Sequence, residues 1–255
     1  MKELELKDGE RVDDLQLKGL KIIQNKNGFC FGIDAVLLSN FAEIQKKDTV
    51  VDLGTGTGII PTLIAGKSEG TKIYGIEIQE HVAEMATRSV KMNELENRIE
   101  IMNINLKEAV DHFEQGSVDV VVSNPPYVNS GGGITNPESA KAISRHEIHC
   151  NLEDVIRVSS RLLKPNGRFY MVHRPSRLVD IIDYCRKYKL EPKVIRFVQP
   201  NCQKTPNILL IKCVKFGGNE LKFMAPLNVY NLDGTYTDEI YEIYSNENID
   251  VFDRR

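Results

Sequence analysis

The chain has 255 residues, 41% apolar and 27% charged, with a formal net charge of −3. That length can bury a full core, and this balance of apolar and charged residues excludes a disordered chain. No apolar run reaches the roughly 18 residues of a membrane span, and MKELELKDGE at the N-terminus lacks the apolar centre of a secretion signal.

Residues 1–30 read as short strands and turns. Asp8-Gly9 and Asn27-Gly28 are turn signals, and Leu15, Leu17 and Leu20-Lys21-Ile22 alternate weakly. Asp34 is placed to cap a short helix whose Val36, Leu37, Leu38 and Phe41 face the core. From Thr49 the pattern becomes a regular alternation of strand and helix. Strands are expected at 49–53, 72–76, 99–104, 118–123, 167–172, 194–198 and 208–214. Helices are expected at 59–67, 79–93, 106–113, 152–163 and 176–188. Such alternation argues for a doubly wound, mostly parallel seven-stranded α/β sheet. The last two strands are joined by 199–207, with two prolines and no helix, so the final strand is expected to run antiparallel. The expected organisation is an N-terminal extension at 1–47, a catalytic core at 48–216 and a C-terminal extension at 217–255. In that last segment a strand near 227–230 and a helix near 237–244 are expected.

Five scattered cysteines without a CxxC pair fit reduced thiols in a cytosol better than disulfides or zinc. His146 and His149 stand one helical turn apart but lack a further His/Cys pair at ligand spacing, so no metal is expected. The net charge hides an asymmetry. Residues 141–215 hold 16 Lys+Arg against 6 Asp+Glu, a net +10, which leaves −13 for the rest of a chain totalling −3. The split points to a polyanionic partner, or else to solvated helix faces.

The segment VDVVVSNPPY begins as a strand buried on both faces, Val118 to Val122, and ends in Ser123-Asn124-Pro125-Pro126-Tyr127. Open α/β sheets bind ligands at the carboxyl ends of their strands. Two prolines there remove N–H donors and leave carbonyls that only accept. Asn124 adds a side-chain acceptor and Tyr127 a flat π surface, so the corner suits a planar group bearing an amine. The bland alternative is a stiff turn after a buried strand. Gly131-Gly132-Gly133 follows in a polar insertion that reads as a loop beside the substrate.

Upstream, the first core strand runs into Asp52-Leu53-Gly54-Thr55-Gly56-Thr57-Gly58. Glycines at a strand-to-helix turn let backbone approach a ligand closely. The spacing is G-x-G-x-G rather than G-x-G-x-x-G, and Asp52 precedes it. An acidic group there suits a ligand with a cationic amine and no phosphate, which is the character of S-adenosylmethionine. Glu77, 23 residues beyond Gly54, ends the second strand and is placed to accept both hydroxyls of a ribose.

Asp52 to Gly58, Glu77 and Asn124-Pro125-Pro126-Tyr127, in this order, resemble the class I S-adenosylmethionine-dependent methyltransferases that act on amino nitrogens. Related enzymes often carry an Asp after the third strand that contacts the adenine amino group of the cofactor; this chain has Asn105. Further stretches narrow the resemblance: Phe31 to Leu38, Arg145-His146-Glu147, Val172-His173-Arg174-Pro175, and the tail around Tyr230-Asn231-Leu232-Asp233-Gly234-Thr235-Tyr236. These are similar to the bacterial tRNA(Val) adenine-N6 methyltransferase family, which modifies the adenine just 3′ of the anticodon.

The resemblance implies a Rossmann-like fold and a cofactor site of Phe31, Asp34, Asp52, Gly54, Thr55, Gly56, Gly58, Glu77, Ile78, Asn105 and Asn124. It implies a catalytic corner of Asn124, Pro125, Pro126 and Tyr127. An RNA-contacting set of Tyr127, Arg145, His146, His173, Arg174 and Arg177 would meet a tRNA anticodon stem-loop in the cytoplasm. Two rivals stay open: a protein-glutamine methyltransferase acting on release factors, and an RNA-binding protein with a non-catalytic methyltransferase fold.

Overall fold

The computed structural model describes residues 6–26, 32–126 and 151–244. Its core strands form where β-branched and aliphatic residues alternate between two covered faces. On β3 (Thr49–Leu53), β6 (Val118–Ser123), β7 (Leu163–His173) and β9 (Ile208–Lys215), Val50, Val122, Tyr170, Val172 and Leu210 enter one apolar cluster. Val51, Val121, Phe169, Met171 and Ile211 enter the other, as the two-residue period of a strand requires. Helices α1 (Ile33–Phe41), α2 (Ile59–Lys67) and α7 (Asp238–Tyr244) cover the first face; α5 (Leu152–Leu162) and α6 (Leu178–Lys187) cover the second.

With β4 (Lys72–Ile76), β5 (Ile99–Met102) and β8 (Leu190–Gln199), the sheet runs β8-β9-β7-β6-β3-β4-β5. Two further strands, β10 (Lys222–Phe223) and β11 (Leu227–Asn228), add to the outer edge of β8 in parallel. All pairs are parallel except those of β9 with β7 and β8. The antiparallel last strand is thus as expected, but it enters the sheet between two others rather than closing its edge. Leu209, Leu210, Ile211 and Cys213 are buried, so this strand needs neighbours on both sides and cover on both faces.

Several expected boundaries shift for local reasons. The strand expected at 167–172 extends back to Leu163 through a bulge at Val118/Val120, with Asn166 in the left-handed region at φ 64°. The helix expected at 106–113 begins as a 3-10 turn, Leu106–Glu108, capped by the Asn105 side chain, and continues as α4 (Ala109–His112). Gly32, not Asp34, occupies the N-cap of α1; Asp34 lies inside its first turn.

Before the core, β1 (Glu10–Asp14) and β2 (Lys21–Asn25) form an antiparallel hairpin on α3 (Glu80–Met92). Arg88 of α3 holds both Glu84 at 2.8 Å and Glu10, and Ser89 Oγ accepts the Ile23 N–H at 3.0 Å. Leu15 and Leu17 sit in the hairpin turn instead of alternating along a strand. Leu17 and Leu20 plug against Gly66 of α2, where a Cβ would stand 2.7 Å from each. No described helix is long and apolar enough to cross a membrane.

Candidate active site

The chain reverses its direction of winding at β3, which pairs with β4 on one side and β6 on the other. Such a switch point opens a crevice at the carboxyl ends of the strands, and the expected site residues converge there. Asp52 is fully buried near the end of β3, and neither carboxyl oxygen has a hydrogen-bond partner among the described residues; the Thr55 hydroxyl is in the same position. Burial pushes the Asp52 carboxyl up to about 7, the nearby Thr55 hydroxyl opposes that shift, and the Glu77 carboxylate adds to it. An orphaned buried acid at a strand end marks a functional position, since such groups cost stability unless a ligand satisfies them.

The glycines after it divide into two roles. Gly54 and Gly56 have φ of 80° and 57°, and a Cβ on either would meet nothing within 4 Å: their exposed side is open to a ligand. Gly58, at φ 85°, is the N-cap of α2, and a Cβ there would stand 3.3 Å from Ala86, so its smallness serves helix packing. The Gly54 and Thr55 N–H groups both donate to the Ile76 carbonyl at 2.9 Å, which lashes the loop to β4.

Glu77, 4% exposed, closes that loop from the other side. Its Oε2 accepts the Gly56 N–H at 3.0 Å, and its Oε1 accepts the Gln79 N–H at 2.8 Å. Its carbonyl accepts from Asn103 Nδ2 at 2.8 Å. Gln79 and Asn103 were missed from sequence; the only signal for them was their place at strand ends flanking the acid. Ile78 next to it is exposed, an apolar surface suited to a flat ring. Asn105 is half-buried, and its Oδ1 accepts the Lys107 N–H at 3.0 Å while retaining a second lone pair.

These residues fit S-adenosylmethionine. Asp52 would meet the cationic amine, the open side of Gly54 and Gly56 the methionine portion, and Glu77 the ribose hydroxyls. Ile78 and Asn105 would flank the adenine.

On the other side of β3, Asn124 is half-buried, Pro125 buried and Pro126 exposed at the end of β6. The Ser123 hydroxyl donates to the Leu53 carbonyl at 2.8 Å, so the corner is tied to the glycine loop. Asp34, half-buried, begins α1 on the first face of the sheet. Phe31, Tyr127, Arg145, His146, His149 and Gly131 to Gly133 lie outside the described residues.

The structure places the expected RNA-contacting residues at and after the end of β7 in different settings. His173 ends β7 and is 4% exposed; its Nδ1 accepts the Arg174 N–H at 2.8 Å. Burial pushes the imidazole down to about 4, and Arg177 and Arg174 push the same way. It is therefore neutral at pH 7 and is no cation for a phosphate. Arg177 pairs with Asp180 at 2.7 Å, and Arg174 donates to the Asn207 carbonyl at 3.0 Å. More broadly, Arg168, Arg186, Lys187, Arg196 and Lys212 of the basic stretch also pair with carboxylates, at 2.5 to 3.1 Å. Of these acids, Asp48, Glu239 and Glu43 lie outside the stretch and draw on its net +10, whereas Glu191 and Glu153 are already counted in it. Among the described residues no group of His, Cys, Asp and Glu is arranged to hold a metal ion.

Comparison with known proteins agrees with this geometry. A tRNA1(Val) (adenine(37)-N6)-methyltransferase from Pedobacter heparinus is 27% identical over 88% of this chain and 92% of its own. Its namesake from Parabacteroides distasonis is 29% identical over 77% of this chain and 81% of its own. The crystal structure of a predicted O-methyltransferase from Agrobacterium tumefaciens superposes with a TM-score of 0.67 at 21% identity, covering 83% of this chain and 95% of that one, and shares the fold. The model of the methyltransferase small domain matches residues 32–180, a span that holds the glycine loop, Glu77 and the Asn124 corner, and the chain belongs to that methyltransferase family.

Proposed function

We propose that this enzyme transfers a methyl group from S-adenosylmethionine to the exocyclic N6 amine of a tRNA adenine, the one just 3′ of the anticodon in tRNA1(Val). The observation that carries the reading is the junction of two half-sites: the Asp52–Glu77 donor set on one side of β3 and the Asn124–Pro125 acceptors on the other, linked through Ser123 and Leu53. The naming of the full-length relatives supports the choice of substrate. Residues 48–216 would form the catalytic domain, with 1–47 and 217–255 as extensions packed on it, and the protein would work in the cytoplasm.

S-adenosylmethionine, when bound, supplies an electrophilic methyl group on a sulfonium leaving group. The protein's task is then orientation. An aromatic amine is a poor nucleophile because its lone pair is delocalised into the ring. The Asn124 side-chain oxygen and the Pro125 carbonyl would accept its two N–H bonds, favour a pyramidal nitrogen and aim the lone pair. Tyr127 would stack on the base. No strong base is needed, since the proton leaves readily once the nitrogen is cationic. Asp52, buried and unpaired until the cationic amine arrives, couples donor binding to the charge of the site.

Incubation with labelled S-adenosylmethionine and, separately, tRNA lacking the modification, a release factor or duplex DNA tests the reading. Label in tRNA at the adenine 3′ of the anticodon is expected. Label confined to the release factor would assign the corner to a glutamine amide instead.

A further inference from the structure

The tail after β11 carries a structure that the site described above does not use. Leu227 and Val229 are buried under the sheet edge, and the Tyr230 N–H donates to the Pro200 carbonyl at 2.8 Å. Because β11 runs parallel to β8 and pairs with its last residues, Tyr230 projects beyond the same carboxyl edge that carries the glycine loop and Asn124. The chain then turns tightly. Asn231 donates its N–H to the Thr235 carbonyl and its side-chain amide to the Thr235 hydroxyl, and Tyr230 bridges Tyr236 as an antiparallel pair. The rings of Tyr230 and Tyr236 stack with centroids 5.0 Å apart at 25°. This turn presents Tyr230 at 38% exposure and Leu232 at 64%, two apolar groups held outward by a hydrogen-bonded frame.

The surroundings say what fits there. The loop that holds the Tyr230 amide also carries exposed Lys204, and its far end is bound by Arg174 through the Asn207 carbonyl. A cation on the loop that anchors an exposed, pre-ordered aromatic suits a single-stranded nucleic acid: phosphate to the cation, base to the ring face. Of the tail's acids, Glu239 is paired with Arg196 at 2.6 Å, and Asp233 keeps its charge while accepting the Thr235 N–H and hydroxyl within the turn. Four strand spacings separate β11 from β6, roughly 19 Å at about 4.8 Å each, which is too far for the reacting base and within the span of a small RNA loop.

We propose that Tyr230 and Leu232 form a stacking platform for a nucleobase of the anticodon loop other than the one methylated. The platform rests on the tRNA reading above and adds to it a place where the loop is gripped. It helps to select a single-stranded loop over a duplex, whose bases offer no free face.

The test uses the full chain and a synthetic anticodon stem-loop RNA, intact or with one loop base at a time replaced by an abasic sugar. Tyr230→Ala is expected to raise Kd and KM for the RNA about tenfold, with kcat and cofactor affinity unchanged, while Tyr230→Phe behaves as wild type. One abasic position should weaken the wild-type protein by a similar factor and leave Tyr230→Ala no weaker than before. Leu232→Ser, at a more exposed position, should act in the same direction with an unchanged thermal melt, so the platform is tested even if Tyr230→Ala folds poorly. Normal RNA methylation by the wild type together with unaltered KM in Tyr230→Ala and Leu232→Ser would overturn the platform alone. A wild-type protein that neither binds nor methylates the RNA overturns the tRNA reading and the platform with it.

Discussion

The Ser123 hydroxyl donates to the Leu53 carbonyl across 2.8 Å, with Ser123 fully buried. The two residues end adjacent parallel strands, and each is followed by one half of the site: the glycine loop after Leu53 and the Asn-Pro-Pro corner after Ser123. This side-chain bond joins the β3–β6 ladder in holding the offset between the two halves. Ser123→Ala is expected to cost about 1 kcal/mol of stability and to lower kcat about tenfold through misplacement, with cofactor affinity nearly unchanged. Urea denaturation and steady-state kinetics check this, and full turnover in the variant would remove Ser123 from the alignment of the site.

Asp52 makes the free enzyme sensitive to pH. Its carboxyl is raised from 3.8 to about 7 in the folded chain, chiefly by burial. Between those values the folded protein holds a proton that the unfolded chain has released, so this group's contribution to stability falls as pH rises across the window. Asp52→Asn is expected to raise the melting temperature at pH 8 by on the order of 5 °C, measured without cofactor. The same substitution should weaken cofactor affinity about tenfold or more, and wild-type affinity should climb as pH passes through about 7. A pH-independent affinity in calorimetric titration would contradict the pairing of Asp52 with the cationic amine.

Gly75, in the middle of β4, supports the cofactor loop from beneath. A Cβ there would lie 2.9 Å from both Thr55 Oγ1 and Cγ2 and from Ile101 Cδ1. Gly75→Ala is expected to cost about 1–3 kcal/mol and to displace Thr55, so cofactor affinity falls along with the melting temperature. Differential scanning calorimetry with and without S-adenosylmethionine would show a smaller cofactor-induced shift than in the wild type.

Asn124→Ala separates binding from transfer. Without the side-chain acceptor the amine loses one of its two partners, and kcat is expected to fall about 10²–10³-fold while cofactor binding persists. Single-turnover measurement with saturating tRNA is the suitable readout; a rate near wild type would show that the Asn124 oxygen does not orient the amine.

The strand–helix alternation after Thr49, the buried run of Val118 to Val122 and the order Asp52, glycine loop, Glu77, Asn124 were all legible, because each depends on local periodicity or on residue types next to one another in the chain. Leu15 and Leu17 misled for the same reason: their spacing mimics a strand, yet they are turn residues, and Leu17 fills the space left by Gly66.

What only the tertiary structure decided is who meets whom across the sheet. A count of charges left the basic stretch open between a polyanion and solvated faces, but Arg168, Arg196 and Lys212 meet Asp48, Glu239 and Glu43, acids from before and after that stretch. His173, placed by the resemblance among residues that meet RNA, is a buried neutral ring. Charge pairing and burial depend on distances between residues far apart in sequence, and composition carries no record of those distances. The residue types of the glycine loop and of the Asn124 corner each stand side by side in the sequence; the fold brought them to one edge and left the Asp52 carboxyl without a hydrogen-bond partner among the described residues.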